Sequence, residues 1–139
     1  MKNMIRRSVL GVALAICTSV LTGAQAQVTK ESVPGIVNFS KVETTVACAG
    51  ATTPAALAEV KRMGYASVVN LRLASEAGAE IEVEAAAAKA AGLNYVHLPF
   101  NAAAPDPMLV DNFLKAVTDA RNQPAFIHCA SANRAAVVA

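Results

Sequence analysis

The stretch of sequence that decides the fold is residues 124–138, which read PAFIHCASANRAAVV. The apolar run that ends at Ile127 predicts a buried strand, and a turn of small and polar residues follows at Cys129. The alanine-rich segment after Arg134 predicts a helix. The stretch therefore predicts a strand, a tight turn that carries a thiol, and a helix, in that order.

The thiol on this turn lies where two effects favour its ionised form. The N-terminal end of a helix carries partial positive charge, and Arg134 adds a full charge nearby. Both effects lower the pKa of Cys129, and the thiolate is the nucleophilic form of cysteine. Because backbone N–H groups of such a turn also bind anions, residues 129–134 are predicted to form a nucleophilic, anion-binding loop.

Strands and helices also alternate along the chain before this stretch. Gly64 and Gly92 each follow a helical pattern, at the position where a helix stops. Short loops between alternating strands and helices predict an α/β domain with a central, mainly parallel sheet flanked by helices. The predicted strands cover residues 39–48, 66–71, 93–98 and 125–128, and the predicted helices cover residues 52–63, 79–91 and 106–123.

Three polar features fall at the carboxyl ends of predicted strands. Arg72 follows the second strand, residues 99–106 follow the third, and Cys129 follows the fourth. In open α/β sheets, ligands bind outside these strand ends. The three features are therefore expected to meet at one site.

The N-terminal residues have the pattern of a secretory signal peptide. Three basic residues precede an apolar run over residues 9–21, and small residues lead up to Ala26. The run is short for a membrane span, although a retained anchor is the alternative. We predict cleavage after Ala26, export to the periplasm or the medium, a tether over residues 27–37, and a domain over residues 38–139.

Charge and cysteine content narrow the possible partners. After removal of the predicted signal, nine basic and ten acidic residues remain, so no nucleic-acid or membrane surface is expected. Cys48 and Cys129 remain as well, and they either form a disulfide or stay free, with Cys48 as a small core residue. The glutamates at positions 80, 82 and 84 predict a solvated helix face, and His97 predicts a packed strand histidine.

Three segments together resemble a known family. They are YASVVNLR at residues 65–72 with Glu76 after it, GLNYVHLP at residues 92–99, and the loop from His128 to Arg134. In these segments the chain resembles the cysteine-dependent phosphatase superfamily, and more closely its beta-lactamase-hydrolase-like, phosphatase-like family. The resemblance covers about residues 38–139.

This resemblance implies hydrolysis of a phosphate monoester, in a small molecule or a phosphoprotein, without a metal or cofactor. Cys129 would attack phosphorus and form a phospho-cysteine, and His128 would help to lower the thiol pKa. Asp106 would protonate the leaving oxygen, unless it only caps the helix before Pro107. The phosphate would be bound by Arg134 and by a loop set of His128, Ala130, Ser131, Ala132 and Asn133, with Arg72 in reach unless it pairs with Glu76.

The loop departs from the superfamily in two ways. Four residues separate Cys129 from Arg134, where five are usual, and four is the spacing of rhodanese-like sulfurtransferases. A shorter loop encloses less volume, so a periplasmic sulfurtransferase with a Cys129 persulfide is the alternative function. The second departure is Ala132, where glycine is common, and a positive φ there would cost about 1 kcal/mol or more.

A third departure concerns the segment after Arg134. Only five residues follow it in this sequence, little more than one helical turn. The expectation is that the C-terminal helices of the fold are missing from a truncated or partial chain. An inactive fragment or a binding module is the alternative that this expectation leaves open.

Overall fold

A computed structural model describes residues 26–139 of the chain. The predicted signal sequence lies outside the described residues, apart from its last residue, Ala26. In the part of the chain that the structure describes, no helix is both long and apolar enough to cross a membrane.

Six strands of the described region form one mixed sheet in the order β1-β2-β3-β6-β4-β5. The last four of these pair in parallel, while β1 and β2 join the edge as antiparallel strands. The prediction of an α/β domain with a mainly parallel sheet is confirmed. The strands are β1 (Val28–Lys30), β2 (Ser40–Val42), β3 (Val46–Ala49), β4 (Ser67–Asn70), β5 (Asn94–His97) and β6 (Ala125–His128).

Helices cover both faces of this sheet. The left-handed Gly92 (φ 76°) ends the second helix, as the sequence predicts. The described residues form four helices: α1 (Leu57–Arg62), α2 (Ile81–Ala91), α3 (Leu109–Thr118) and α4 (Asn133–Val138). One-turn 3₁₀ segments at Pro54–Ala56 and Ala120–Asn122 extend two of the connections.

The sheet separates two apolar cores because successive strand residues face opposite sides. Phe126 of β6 packs with α1 and α2, in a cluster that includes Phe39 and Leu57. Ile127 packs on the other side, where Phe113 of α3 and residues of α4 cover it. The same alternation places the side chains of His128 and Cys129, where the predicted loop begins, on opposite faces of the sheet.

Two predictions for the N-terminal part of the domain are wrong. Residues 39–48 form two antiparallel strands rather than one, since the polar turn between them passes through Glu43 with φ 55°. Residues 27–37 are not a tether, because β1 pairs with β2 and Ile36 is buried in the core. Neither feature has a strong pattern in the sequence: β1 has only three residues, and all of them are exposed.

Candidate active site

Cys129 begins the loop directly after β6 and is completely buried. Its backbone N–H donates to the carbonyl oxygen of Ala49 (3.2 Å), which continues the pairing between β6 and β3. The next residues stay close to the segment after β3, since Ala51 N–H donates to Ala130 O (2.8 Å). The loop is therefore fixed by its neighbour strand as well as by its own sequence.

Gly50 allows this close approach of two backbone segments. A Cβ atom at this position would lie 3.1 Å from Ala130 O and from the carbonyl carbon of Ser131. Both are backbone atoms of the loop, so a larger residue would push the loop outward. Gly50 therefore supports the loop from a neighbouring segment. The sequence does not reveal this contact, because Gly50 lies far from Ala130 along the chain.

The Cys129 thiol has a lowered pKa in this setting. Burial raises the pKa of the thiol, but backbone N–H groups around the sulfur outweigh that effect and bring it below the usual value. The donors are the N–H groups of Ala135, Ser131, Arg134 and Ala132. The direction is the one that the sequence predicts, and the main cause is hydrogen bonding by the loop and the first turn of α4.

His128 does not take the place that the sequence assigned to it beside the thiol. Strand alternation sends its ring to the opposite face of the sheet, against Phe126, with ring centres 6.0 Å apart. There the imidazole is fully buried, and its Nε2 atom lies 2.6 Å from Oε1 of Glu84. The prediction that His128 contacts the bound anion is therefore wrong. The prediction that Glu84 lies on a solvated helix face is also wrong, because this residue is 3% exposed.

Arg134 forms a two-pronged ion pair with Glu76. Its Nη1 atom lies 2.6 Å from Oε1 and its Nη2 atom 2.8 Å from Oε2 of that carboxylate. Nη1 also donates to the carbonyl oxygens of Phe100 (3.0 Å) and Leu71 (3.3 Å). The guanidinium is thus held at the carboxyl ends of the strands. The planar arrangement of its N–H donors matches the two carboxylate oxygens of Glu76.

Glu76 is the counter-ion of this pair and stays ionised. The hydrogen bond from Arg134 is the main cause that lowers the pKa of Glu76 to about 2, and the backbone N–H of Leu73 and the side chain of Arg72 assist. A carboxyl group with this pKa carries no proton near neutral pH. Glu76 therefore holds Arg134 and does not serve as a general acid.

Arg72 is bound to the segment after β4. Its Nη1 and Nη2 atoms donate to the carbonyl oxygens of Gly78 (2.9 Å) and Ala77 (2.7 Å), and Nε lies 3.4 Å from Glu76. The side chain is buried, and all three guanidinium nitrogens have partners. The structural alternative, the pair with Glu76, is what forms here, and the prediction that Arg72 contacts the anion is not supported.

Asp106 lies on the exposed loop between β5 and α3. Its Oδ1 atom accepts the backbone N–H of Met108 (2.8 Å), so the carboxylate supports the turn that leads into α3. The same loop is tied to the site at its other end, where Phe100 O binds Arg134. The prediction that Asp106 caps a helix beginning at Pro107 is wrong, because α3 begins at Leu109 after Met108 and has no side-chain cap. The proton-donor role of Asp106 stays a prediction.

Ala132 has a left-handed backbone, which is the case in which the sequence implied a cost for alanine at this position. Its φ is 80° and its ψ is −13°, a region that glycine enters without penalty and alanine does not. The backbone N–H of this residue is one of the groups that lower the pKa of Cys129. The loop therefore accepts backbone strain at a residue that favours the thiolate.

Replacement of Ala132 by glycine is expected to raise the free energy of unfolding by about 0.5–1 kcal/mol. Relief of the left-handed strain outweighs the extra freedom that glycine gains in the unfolded chain. Denaturant unfolding of the two proteins checks this, with Ala130→Gly as the control at an exposed neighbour without positive φ. A loss of stability in the Ala132 variant would show that the strain is relieved elsewhere.

An open cavity of about 690 Å³ lies against the outer side of the loop. The loop contributes Ser131, Ala132 and Asn133 to its wall, and the N-terminal segment contributes polar residues such as Lys30 of β1 and Asn38 of the following turn. Asn38 also binds the loop directly, since its Nδ2 atom donates to Ser131 O (3.2 Å). The predicted loop residues therefore border a space of ligand size.

Between residues 26 and 139, both cysteines are free and no group of three or more His, Cys, Asp or Glu residues could hold a metal ion. Burial and then the nearby charge of Cys129 raise the pKa of Cys48 to about 11. Cys48 therefore stays a neutral thiol in the core, which leaves Cys129 as the reactive cysteine of the described region.

Comparisons with known proteins agree with this geometry. Residues 38–139 match the family described as beta-lactamase hydrolase-like protein, phosphatase-like domain. No curated protein matches the chain. Three solved structures share the fold. A DUF442 protein from Shewanella putrefaciens CN-32, described as a phosphatase, matches with a TM-score of 0.69 and 23% identity over 75% of this chain and 66% of its own. A protein from Neisseria meningitidis Z2491, also described as a phosphatase, matches with a TM-score of 0.62 and 17% identity over 70% of each chain. A cysteine-to-serine variant of Pseudomonas aeruginosa TpbA in complex with phosphotyrosine matches with a TM-score of 0.61 and 20% identity over 86% of this chain and 68% of its own.

The family match covers most of the chain, including every residue of the loop and its partners Glu76 and Glu84. The structural similarities lie below 25% identity and support the fold. This chain belongs to the beta-lactamase hydrolase-like, phosphatase-like domain family.

Proposed function

We propose that this protein is a cysteine-dependent phosphatase that hydrolyses phosphate monoesters through a phospho-cysteine at Cys129. The observation that carries the proposal is the buried Cys129 at the start of the loop into α4, with Arg134 held by Glu76 at the same strand ends. Four backbone N–H groups of this segment, here called the N–H ring, lower the pKa of the thiol. Such a ring stabilises a thiolate before the reaction, and the same donors suit the oxygens of a transferring phosphoryl group. Family membership supports the same reaction class.

In the first step, the Cys129 thiolate attacks phosphorus and the bond from phosphorus to the leaving oxygen breaks. Asp106 supplies the proton that the leaving oxygen takes up, since the ionised Glu76 carries none. Arg134 and the loop N–H groups balance the charge on the phosphoryl oxygens. Because Cys129 is completely buried, substrate binding has to move the loop or the Arg134 side chain aside.

In the second step, water attacks the phospho-cysteine and the bond between sulfur and phosphorus breaks. The thiolate leaves, inorganic phosphate is released, and Asp106, now ionised, takes a proton from the attacking water. The backbone N–H groups around the sulfur assist here as well, because they stabilise the departing thiolate.

An aryl phosphate is the first substrate to test, because phosphotyrosine is the ligand of the TpbA variant that shares this fold. We expect release of inorganic phosphate, and acid quenching during turnover should leave a phosphoryl group on the peptide that contains Cys129. Mass spectrometry of the quenched protein makes this measurement. Turnover with a phosphoryl group on another residue, or on none, would contradict the thiol mechanism.

The four-residue spacing between Cys129 and Arg134 favours a second candidate, sulfur transfer. The matched assay supplies thiosulfate and cyanide and measures thiocyanate, with a persulfide on Cys129 as the intermediate. Thiocyanate without phosphate release would replace the phosphatase proposal by the sulfurtransferase. If neither product forms, a binding module is the remaining function of the loop.

A further inference from the structure

Four polar side chains, three of them buried and one half-buried, form a cluster on the face of the sheet opposite the thiol. The cluster, named here the Glu84 cluster, consists of Glu84, His128, Asn70 and Tyr95. Oε1 of Glu84 lies 2.6 Å from Nε2 of His128, and Oε2 accepts a hydrogen bond from Nδ2 of Asn70 (3.0 Å). The same Asn70 nitrogen donates to the hydroxyl oxygen of Tyr95 (3.0 Å).

The cluster replaces apolar packing at a position where a leucine would fit the pattern of α2. Glu84 and Ala88 are the buried residues of this helix, and Ala88 packs in the apolar core. A buried carboxylate is costly unless hydrogen bonds and opposite charge compensate it, and apolar residues often stabilise such a site equally well. The carboxylate is therefore better explained by what it holds in place than by stability alone.

The hydrogen bonds define the proton position on His128. Its Nδ1 atom is buried and has no partner among residues 26–139, while Nε2 faces the Glu84 carboxylate. A proton on Nδ1 would leave a buried donor unsatisfied, so the pattern assigns the proton to Nε2, where Glu84 accepts it. Glu84 therefore fixes both the tautomer and the orientation of this ring.

The cluster holds the ends of the strands from which the site begins. Asn70 and His128 are the last residues of β4 and β6, and they lie opposite each other in the parallel register. The next residue on each strand belongs to the site: Leu71 O accepts from Arg134, and Cys129 carries the thiol. Leu71 N–H also donates to His128 O (2.9 Å), so any shift of His128 moves both strand ends.

We propose that Glu84 is a positioning residue for the nucleophile, which acts through His128 to hold the end of β6 and the loop N–H groups around Cys129. The inference rests on Cys129 as the reactive group of the proposed function. Glu84 does not touch the thiol or the phosphate. Its effect is transmitted by one side-chain hydrogen bond and one peptide unit.

The test measures the rate at which iodoacetamide alkylates Cys129, as a function of pH, in the full chain and in Glu84→Gln. Glutamine keeps the shape but removes the charge, and its single amide oxygen can accept from Nε2 of His128 or from Nδ2 of Asn70 but not from both. We expect alkylation below the thiol pKa, normalised to the limiting rate at high pH, to slow by about three- to tenfold, because the N–H ring loosens and the thiolate fraction falls. The normalisation removes any change in access to the buried thiol. Glu82→Gln removes the same charge from an exposed site on α2 and should leave the rate unchanged.

Four other ionisable groups lie near Cys129 or in the Glu84 cluster, and the pH profile is interpreted with them in mind. Cys48 on β3 and Arg134 on α4 act on the Cys129 thiol. Glu84 on α2 faces His128, and Tyr95 on β5 is hydrogen-bonded to Asn70 of the same cluster. Cys48 contributes little background, since burial raises its pKa to about 11. An unchanged profile in folded Glu84→Gln would overturn the proposal.

A double-mutant cycle tests the route through His128. If Glu84 acts only through the ring, the change Glu84→Gln should have no further effect on alkylation in a His128→Asn background. Equal effects in both backgrounds would overturn this route. If the variants do not fold, nitrogen-15 NMR of the unaltered chain decides, since a proton on Nδ1 of His128 would refute the assigned hydrogen bond. Alkylation needs no phosphatase turnover, so failure of the proposed function would be seen separately.

Discussion

Replacement of Cys129 by serine is expected to lower kcat for hydrolysis of an aryl phosphate by about a thousandfold or more. The N–H ring lowers the pKa of a thiol below its usual value, but a serine hydroxyl has a far higher pKa and stays protonated in the same ring. Serine fits the space of the thiol, so the loop should keep its shape. Steady-state release of inorganic phosphate measures the loss.

Cys48→Ala is the matched control for this experiment. Cys48 is the other cysteine of the described region, buried on the neighbouring strand with a pKa raised to about 11 by burial and by the charge of Cys129. It lies in the same apolar cluster as Cys129 but is not the nucleophile in our mechanism. Loss of activity in Cys48→Ala with full activity in Cys129→Ser would show that Cys48 is the nucleophile and would refute the proposal.

The sequence predicts the parallel part of the fold well because its signals are local. β4 and β6 contain apolar runs and are fully buried, as expected for strands that helices cover on both faces. β5 is instead bounded by Gly92 before it and Pro99 after it. Gly92 ends α2 with a positive φ, a requirement that the residue type itself expresses. The antiparallel edge was missed because β1 is short and exposed, and its stability comes from pairing with β2.

The features of the site that depend on neighbouring residues could also be predicted, whereas the contacts with distant parts of the chain could not. The turn from Cys129 to Arg134 follows from neighbouring residue types and was predicted. For Ala132 the sequence indicated only the cost of a positive φ, and the structure shows that φ is positive there. The partners of this turn lie far away along the chain: Gly50 beneath it, Glu76 on the arginine and Glu84 on the histidine. A helical pattern cannot reveal that one glutamate of three turns inward, because its partner belongs to another strand.

The position of His128 shows how a motif can be identified correctly and its geometry misjudged. Adjacent positions in the sequence suggest that the histidine acts on the thiol directly. A strand places successive side chains about 180° apart, so the ring and the sulfur lie on opposite faces of the sheet. Any effect of His128 on Cys129 therefore passes through the backbone, which is why the carboxylate that holds the ring becomes important.

Replacement of Arg134 by lysine is expected to lower kcat/KM by about a hundredfold, although the charge is kept. Arg134 uses two nitrogens on Glu76 and still reaches the carbonyl oxygens of Phe100 and Leu71. A single ammonium group cannot make this fork and bind phosphate oxygens in the same orientation. Initial rates over a range of aryl phosphate concentrations give kcat/KM, and inhibition by inorganic phosphate should weaken in parallel.

Arg121→Lys is the matched control, because Arg121 also forms a fork with a carboxylate, Asp119, but is 85% exposed and lies away from the loop. Its replacement should change kcat/KM by less than about twofold, as expected for a surface pair. Glu76 keeps its charge down to about pH 2, so the acid limb of the rate profile at higher pH reports the thiol of Cys129 rather than this ion pair. If Arg134→Lys retained the kcat/KM of the parent, the backbone N–H ring alone would bind the phosphate, and Arg134 would serve only to join Glu76 to the ends of the strands.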